Sequence, residues 1–218
     1  YMKSFKSYLQ EEKLTHLEHV EDAIFDHGVS GAQQALSLLD EIINSLGGNS
    51  TRSVNVQSKV DGAPAVIAGI NPENGKFFVA TKSLFNKTPL INYTKADINK
   101  NHPSGPNSKL QAALKHFPKM GLKGIYQGDF MYTPEDLKKE TIDGTEYITF
   151  TPNTITYAVP TDSDLAKTIL KSKAGIIWHT TYTGDTIADL SANFKVNMSG
   201  FTKQKDVWFT DTVFKDAS

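Results

Sequence analysis

A chain of 218 residues can bury a substantial core as one large domain or two small ones, and 39% hydrophobic with 22% charged residues is the composition of a folded globular protein, which excludes a disordered one. The 23 basic residues balance 24 acidic ones, a formal net charge of -1 that excludes a global electrostatic pull toward nucleic acid or membrane and leaves any such partner to a local patch. There is no cysteine, hence no disulfide, thiolate metal site or cysteine nucleophile, and no apolar run approaches the roughly 20 residues that span a bilayer.

The first segment carries apolar residues at helical spacing: Leu14, Leu17, Val20 and Ile24, then Ala35, Leu36, Leu38, Leu39, Ile42, Ile43 and Leu46. The spacing predicts two helices broken near Gly28–Gly31, the second closing at Gly47-Gly48. From Ser53 the period changes to two. Val54, Val56 and Ser58 alternate with Asn55, Gln57 and Lys59, and Val66–Ile70 resumes after Gly62-Ala63-Pro64, which predicts strand, tight turn, strand. Asn71–Gly75 is a turn signal before a strand over Lys76–Thr81, so these strands read as an antiparallel meander.

Beyond it, Asn99–Pro106 reads as a polar surface loop and Lys109–His116 as an amphipathic helix. Strands are predicted over Gly124–Met131, Glu146–Thr151, Thr154–Val159 and Gly175–Thr181, with a helix near Ser163–Lys171. Val207–Phe214 keeps large apolar side chains to the chain end, as in a chain cut from a longer protein, and Tyr1 before Met2 reads as an expression remnant. The fold class is α+β with mainly antiparallel sheets, divided into a helical segment, residues 1–48, and a larger domain, residues 49–218. With no signal-peptide core and no cysteine, a soluble cytoplasmic protein is expected, without a membrane partner.

The chemistry concentrates in Ser58-Lys59-Val60-Asp61-Gly62-Ala63-Pro64. A lysine amine is a good nucleophile only when deprotonated, so a catalytic lysine at this strand end needs partial burial or nearby cations to lower its pKa. Asp61, two positions on, projects to the same side as Lys59 if the strand persists. Gly62 permits close backbone approach to a ligand. The stretch resembles motif I, Lys-x-Asp-Gly, of the covalent nucleotidyltransferase superfamily of ATP-dependent DNA ligases, RNA ligases and messenger-RNA capping enzymes, and the chain also resembles uncharacterised proteins of large tailed bacteriophages.

That resemblance implies a ligase-like nucleotidyltransferase fold in which Lys59 is the catalytic residue, carrying a nucleotide as a phosphoramidate. Asp61 and Gly62 would contact it. A basic residue on a neighbouring strand is matched by Lys82, at the end of Val79–Ser83. The acid that binds the ribose hydroxyls is matched by Asp129, in Gly128-Asp129, with aspartate where the family usually has glutamate. Phe150 and Tyr157 are the candidates for stacking on the purine, beside Tyr147, with core packing the alternative role for each. The lysine pair of the last motif is matched by Lys203-Gln204-Lys205, with Lys195 as a rival. The strand Ala174–Tyr182 departs from the pattern, because it holds no glutamate where the family places a metal-binding Glu-Gly. Metal ligands are therefore unassigned, with Asp129, His179 and Asp185 as the alternatives.

The implied cofactors are ATP, with GTP as the alternative, and Mg²⁺; the implied partners are the nucleoside triphosphate and a DNA or RNA end, bound through a local patch or an additional domain. A phage source would make the compartment the host cytoplasm. Two other classes stay open: a binding module that kept the fold and lost the chemistry, and a structural phage protein.

Overall fold

The computed structural model describes residues 22–47, 54–57, 59–212 and 214–217. The chain divides into two compact units, one formed by Tyr1–Lys59 with Val213–Ser218 and the other by Val60–Thr212. Among the described residues no helix is long and apolar enough to cross a membrane.

In the first unit, helix α1 spans Asp22–Leu46 and is interrupted at Gly28, whose φ of 57° and ψ of -129° are non-helical. A side chain there would meet the left-handed penalty that glycine escapes, so the predicted break falls at its expected place. Gly47 donates its amide to the Ile43 carbonyl as the helix closes. Leu14, Leu17, Val20 and Gly48 lie outside the described residues. Strand β1, Val54–Gln57, pairs antiparallel with β11, Phe214–Ala217, at the far end of the chain. This corrects the meander: β1 has a distant partner and does not pair with the strand that follows it. Strand β1 also ends at Gln57, so the alternation expected to align Lys59 with Asp61 does not extend to them.

The second unit is built on a sheet in the order β10-β8-β4-β2-β3, with β9 added against β8. Its strands are β2 Ala65–Ile70, β3 Phe77–Ala80, β4 Ile125–Tyr132, β8 Ala174–Thr183, β9 Ser191–Asn193 and β10 Val207–Asp211. All pairings are antiparallel except β8 with β10, which is parallel. The apolar stretch at 207–211 is thus an edge strand of this sheet.

Both faces of the sheet are covered, which is why β2 reads as a continuous apolar run rather than an alternating one. On one face Val66, Ala68, Phe130, Ile176 and Trp178 pack against Leu110 and Ala113 of helix α3, Asn107–His116, and against Phe117 of the 3₁₀ turn that follows it. On the other, Ile67, Phe78, Ala80 and Tyr182 pack with Leu84, Ile187 and Leu190. Helix α2, Lys95–Asn101, takes up part of the stretch expected to be loop. Thr94 and Asp97 form a reciprocal capping box that satisfies the first amides of a polar helix.

A second sheet, β5-β6-β7, is formed by Lys138–Ile142, Thr145–Phe150 and Tyr157–Pro160. With helix α4, Asp164–Lys171, it encloses a third cluster in which Ile148, Phe150, Ala166 and Ile169 meet Met131, Tyr132 and Ile177 of the main sheet. Thr154–Thr156, expected to open a strand, instead form the turn between β6 and β7.

Candidate functional site

The turn Val60–Pro64 leads into β2 and lies along β4. The Ala63 amide donates to the Phe130 carbonyl at 3.2 Å, and the Phe130 amide donates to the Pro64 carbonyl at 3.0 Å. Pro64 follows a cis peptide bond. In this setting Gly62 faces Asp129 so closely that a Cβ added to Gly62 would come within 2.4 Å of the Asp129 Cβ and 3.2 Å of its backbone carbonyl carbon. The absence of a side chain at position 62 is what lets the turn and the strand touch.

Asp61 is held on all sides. Its Oδ2 accepts the Thr154 amide at 2.8 Å, the Thr154 hydroxyl at 2.6 Å and the Ile155 amide at 2.9 Å, while Oδ1 accepts Asn153 Nδ2 at 2.7 Å. The Asp61 amide donates to the Tyr157 hydroxyl at 2.9 Å. Four donors favour the charged carboxylate, so the Thr154 hydroxyl first, then Asn153 and the two amides, hold it well below the usual carboxyl range. The β6–β7 turn is thereby tied to the Val60–Pro64 turn by one side chain.

Asp129 and His179 form the second polar feature, on the adjacent strands β4 and β8. The register between these strands shifts between Gln127 and Gly128, a bulge of the kind that re-aims side chains. His179 Nε2 lies 3.7 Å from Asp129 Oδ1, with both side chains about one-fifth exposed. His179 Nδ1 shares a hydrogen bond of 2.8 Å with the Thr180 hydroxyl. An acid within an apolar strand is costly unless paired, and here an imidazole faces it. Lys109, on α3, completes the surroundings: its ammonium donates to the Ala63 carbonyl at 2.8 Å and lies 5.9 Å from the centre of the Phe130 ring.

The chain belongs to the family of unknown function DUF6267. The family model matches residues 14–218 and so takes in every described element. No curated protein and no solved structure matches the chain.

Within this DUF6267 chain the predicted residues separate into two groups. Asp61, Gly62, Asp129 and Tyr157 come together around the Val60–Pro64 turn. Phe150 stands behind Tyr157, only 4% exposed, its ring stacked on the tyrosine at 5.5 Å and tilted against Tyr132 at 5.0 Å, which makes it a core residue that backs the tyrosine. Lys82 is exposed and opens the 3₁₀ turn Lys82–Phe85, where a strand end was expected. Lys203 and Lys205 are exposed on the approach to β10, where Gln204 between them donates to the His116 carbonyl. Among the described residues no hydrogen bond or ion pair joins Lys82, Lys203 or Lys205 to the turn. Lys59 is exposed and is the last residue of the first unit, directly preceding Val60 in the chain.

Lys109, Asn153 and Thr154 were not visible as site residues in the sequence. Asn153-Thr154 reads only as a turn signal, and Lys109 only as one charge on an amphipathic helix. For a metal, Asp129 and His179 are the two candidates brought together, whereas Asp185 is exposed on the loop after β8. Among the described residues no group of three His, Asp or Glu forms a metal cluster.

Proposed function

We propose that this DUF6267 chain is a ligase-like nucleotidyltransferase that forms a covalent lysyl-nucleotide at Lys59, with AMP as the nucleotide, for transfer to a nucleic-acid end. The observation that carries the reading is the packing of Gly62 on Asp129. The resemblance requires the Lys-x-Asp-Gly turn and the Gly-Asp strand to serve one nucleotide, and two segments far apart in sequence meet at those residues.

In this reading the Lys59 amine attacks the α-phosphorus of ATP. The new N–P bond replaces the P–O bond to pyrophosphate, which leaves in line, and the amine proton passes to solvent. Asp61 fixes the turn that follows the nucleophile, and Asp129 contacts the ribose hydroxyls. Bound Mg²⁺ would neutralise charge on the triphosphate. Mg²⁺ prefers oxygen ligands and commonly takes one or two carboxylates beside substrate phosphates, so Asp129 is the side chain that suits it and His179 is the less suitable one.

Intact mass after incubation with ATP or GTP and Mg²⁺ tests the reading. A gain of one AMP is expected with ATP, and Lys59→Ala is expected to abolish it; a gain of one GMP with GTP instead would keep the chemistry and change the base. No gain with either nucleotide, or a gain that survives in Lys59→Ala, would overturn the assignment. A second reading has its own observation: β8 carries no carboxylate where the resemblance expects the motif IV glutamate. A nucleotide- or nucleic-acid-binding module without chemistry would show saturable binding and no covalent gain.

A further inference from the structure

The exposed face of α3 forms one wall of a groove of about 770 Å³, whose other wall is the turn Thr133–Asp136 with Lys173. Lys95, Lys109, Lys115 and Lys173 line it against two acids, Glu135 and Asp136. Asp136 is turned into its own turn, where its carboxylate accepts the Thr133 amide at 2.7 Å and the Thr133 hydroxyl at 3.0 Å. Among the described residues none of the four lysines forms an ion pair with a carboxylate. Lys119 and Lys167, outside the groove, each reach one at 2.8 Å, on Asp206 and Asp164. A chain with a formal charge of -1 has thus gathered four ammonium groups against two carboxylates in one concave place, where the Thr133 hydrogen bond first and then Lys173 hold the Glu135 carboxyl down.

We propose that this groove binds the phosphodiester backbone of a single-stranded nucleic acid. Ammonium groups act on phosphates as point charges and need no fixed fork, which suits a flexible strand better than a rigid bidentate contact. Lys109 and Lys115 lie six residues apart on one helix, about 9 Å along its axis, so they contact successive parts of a strand rather than one phosphate. Ala112 and Leu114 add apolar surface between the charges for sugar and base. Lys109 also donates to the Ala63 carbonyl, so one of the groove's lysines touches the Val60–Pro64 turn, and a strand held by that lysine passes beside the turn. That placement favours a nucleic acid over an acidic peptide and rests on the function proposed above; the strand binding itself does not.

Fluorescence anisotropy on the whole chain, with a labelled single-stranded DNA and the RNA of the same sequence, measures the affinity as a function of salt. Binding is expected to weaken with salt, and Lys115→Glu combined with Lys173→Glu is expected to weaken it at least roughly tenfold at low salt and to reduce the log–log salt slope by about 1.4, or about 0.7 for each lost phosphate contact. Both lysines are exposed, and an unchanged melting temperature of the double variant keeps the comparison free of misfolding. Lys76→Glu, one such charge reversal outside the groove, is expected to leave the slope unchanged. The proposal is overturned by absence of binding to either strand, by an equal loss in Lys76→Glu, or by displacement of the strand by polyglutamate at matched charge. Lysyl-nucleotide formation needs no acceptor strand. An adduct without strand binding therefore overturns the groove alone, and strand binding without an adduct overturns only the function proposed for Lys59.

Discussion

Thr154 grips the Asp61 carboxylate twice, through its amide at 2.8 Å and its hydroxyl at 2.6 Å, and so makes the turn between β6 and β7 a partner of the turn that follows Lys59. Asp61 is therefore less a ligand contact than a tether. Both its oxygens are occupied by protein donors, and what it would offer the proposed nucleotide is the position of the backbone around it.

Removing that tether in Asp61→Ala leaves the amides of Thr154 and Ile155 without their acceptor. Their hydrogen exchange is expected to accelerate while that of β2 and β4 stays protected, and the lysyl-nucleotide yield is expected to fall sharply. Unchanged exchange at Thr154 and Ile155 would show that the turn is held by other means.

The same tether gives stability a defined pH dependence. The Thr154 hydroxyl, followed by Asn153 and two amides, lowers the Asp61 carboxyl from its ordinary 3.8, so the folded chain holds this proton less tightly than the unfolded chain does. The stabilisation is fully present above the unfolded value and is lost as pH falls through it toward the lower folded value. Urea unfolding at about pH 6 and about pH 3 is expected to show a larger loss in wild type than in Asp61→Asn. Equal losses would remove Asp61 from the acid sensitivity of the fold.

Gly62→Ala tests the contact on which the functional reading stands. A methyl group 2.4 Å from the Asp129 Cβ cannot be accommodated without moving the turn or β4. The expected cost is about 1–3 kcal/mol in urea unfolding, with loss of nucleotide attachment. A fully stable, fully active variant would show that the two segments are farther apart than this.

Trp178 supplies a separate check on the main sheet. It is wholly buried and meets Phe117, Tyr126 and Phe201 edge-on, with ring centres 5.7, 6.1 and 6.2 Å away. Trp178→Ala is expected to cost about 3–5 kcal/mol in chemical denaturation. A loss below about 1 kcal/mol would place the core elsewhere.

What the sequence revealed were the features written in neighbouring residues. The helix break at Gly28, β3 with the turn before it, α3, α4 and β8 all follow from local periodicity and turn chemistry. The pairing of β1 with β11 joins opposite ends of the chain and leaves no local trace. Strand β5, with every residue exposed, has no apolar alternation to betray it. At the site, Gly128-Asp129 stood out because an acid interrupts an apolar run. The donors to Asp61 did not, because backbone amides belong to any residue and only the tertiary fold points those of Thr154 and Ile155 at one carboxylate. Phe150 and Tyr157 looked alike in sequence, and only the sheet decides that one backs the other.

Asp129 sits opposite Ala65 on β2 and opposite Ile177 on β8, so the strand that bears it is completed on one side by chain made long before it and on the other by chain made long after. Pairings of such long range close slowly and cannot be taken in the order of synthesis. A nascent chain that has not yet delivered β8 to the sheet presents β4 with one bare edge, an invitation to other strands. The neighbourhood of Asp129 is thus completed on the ribosome only once the chain has been made past Ile177.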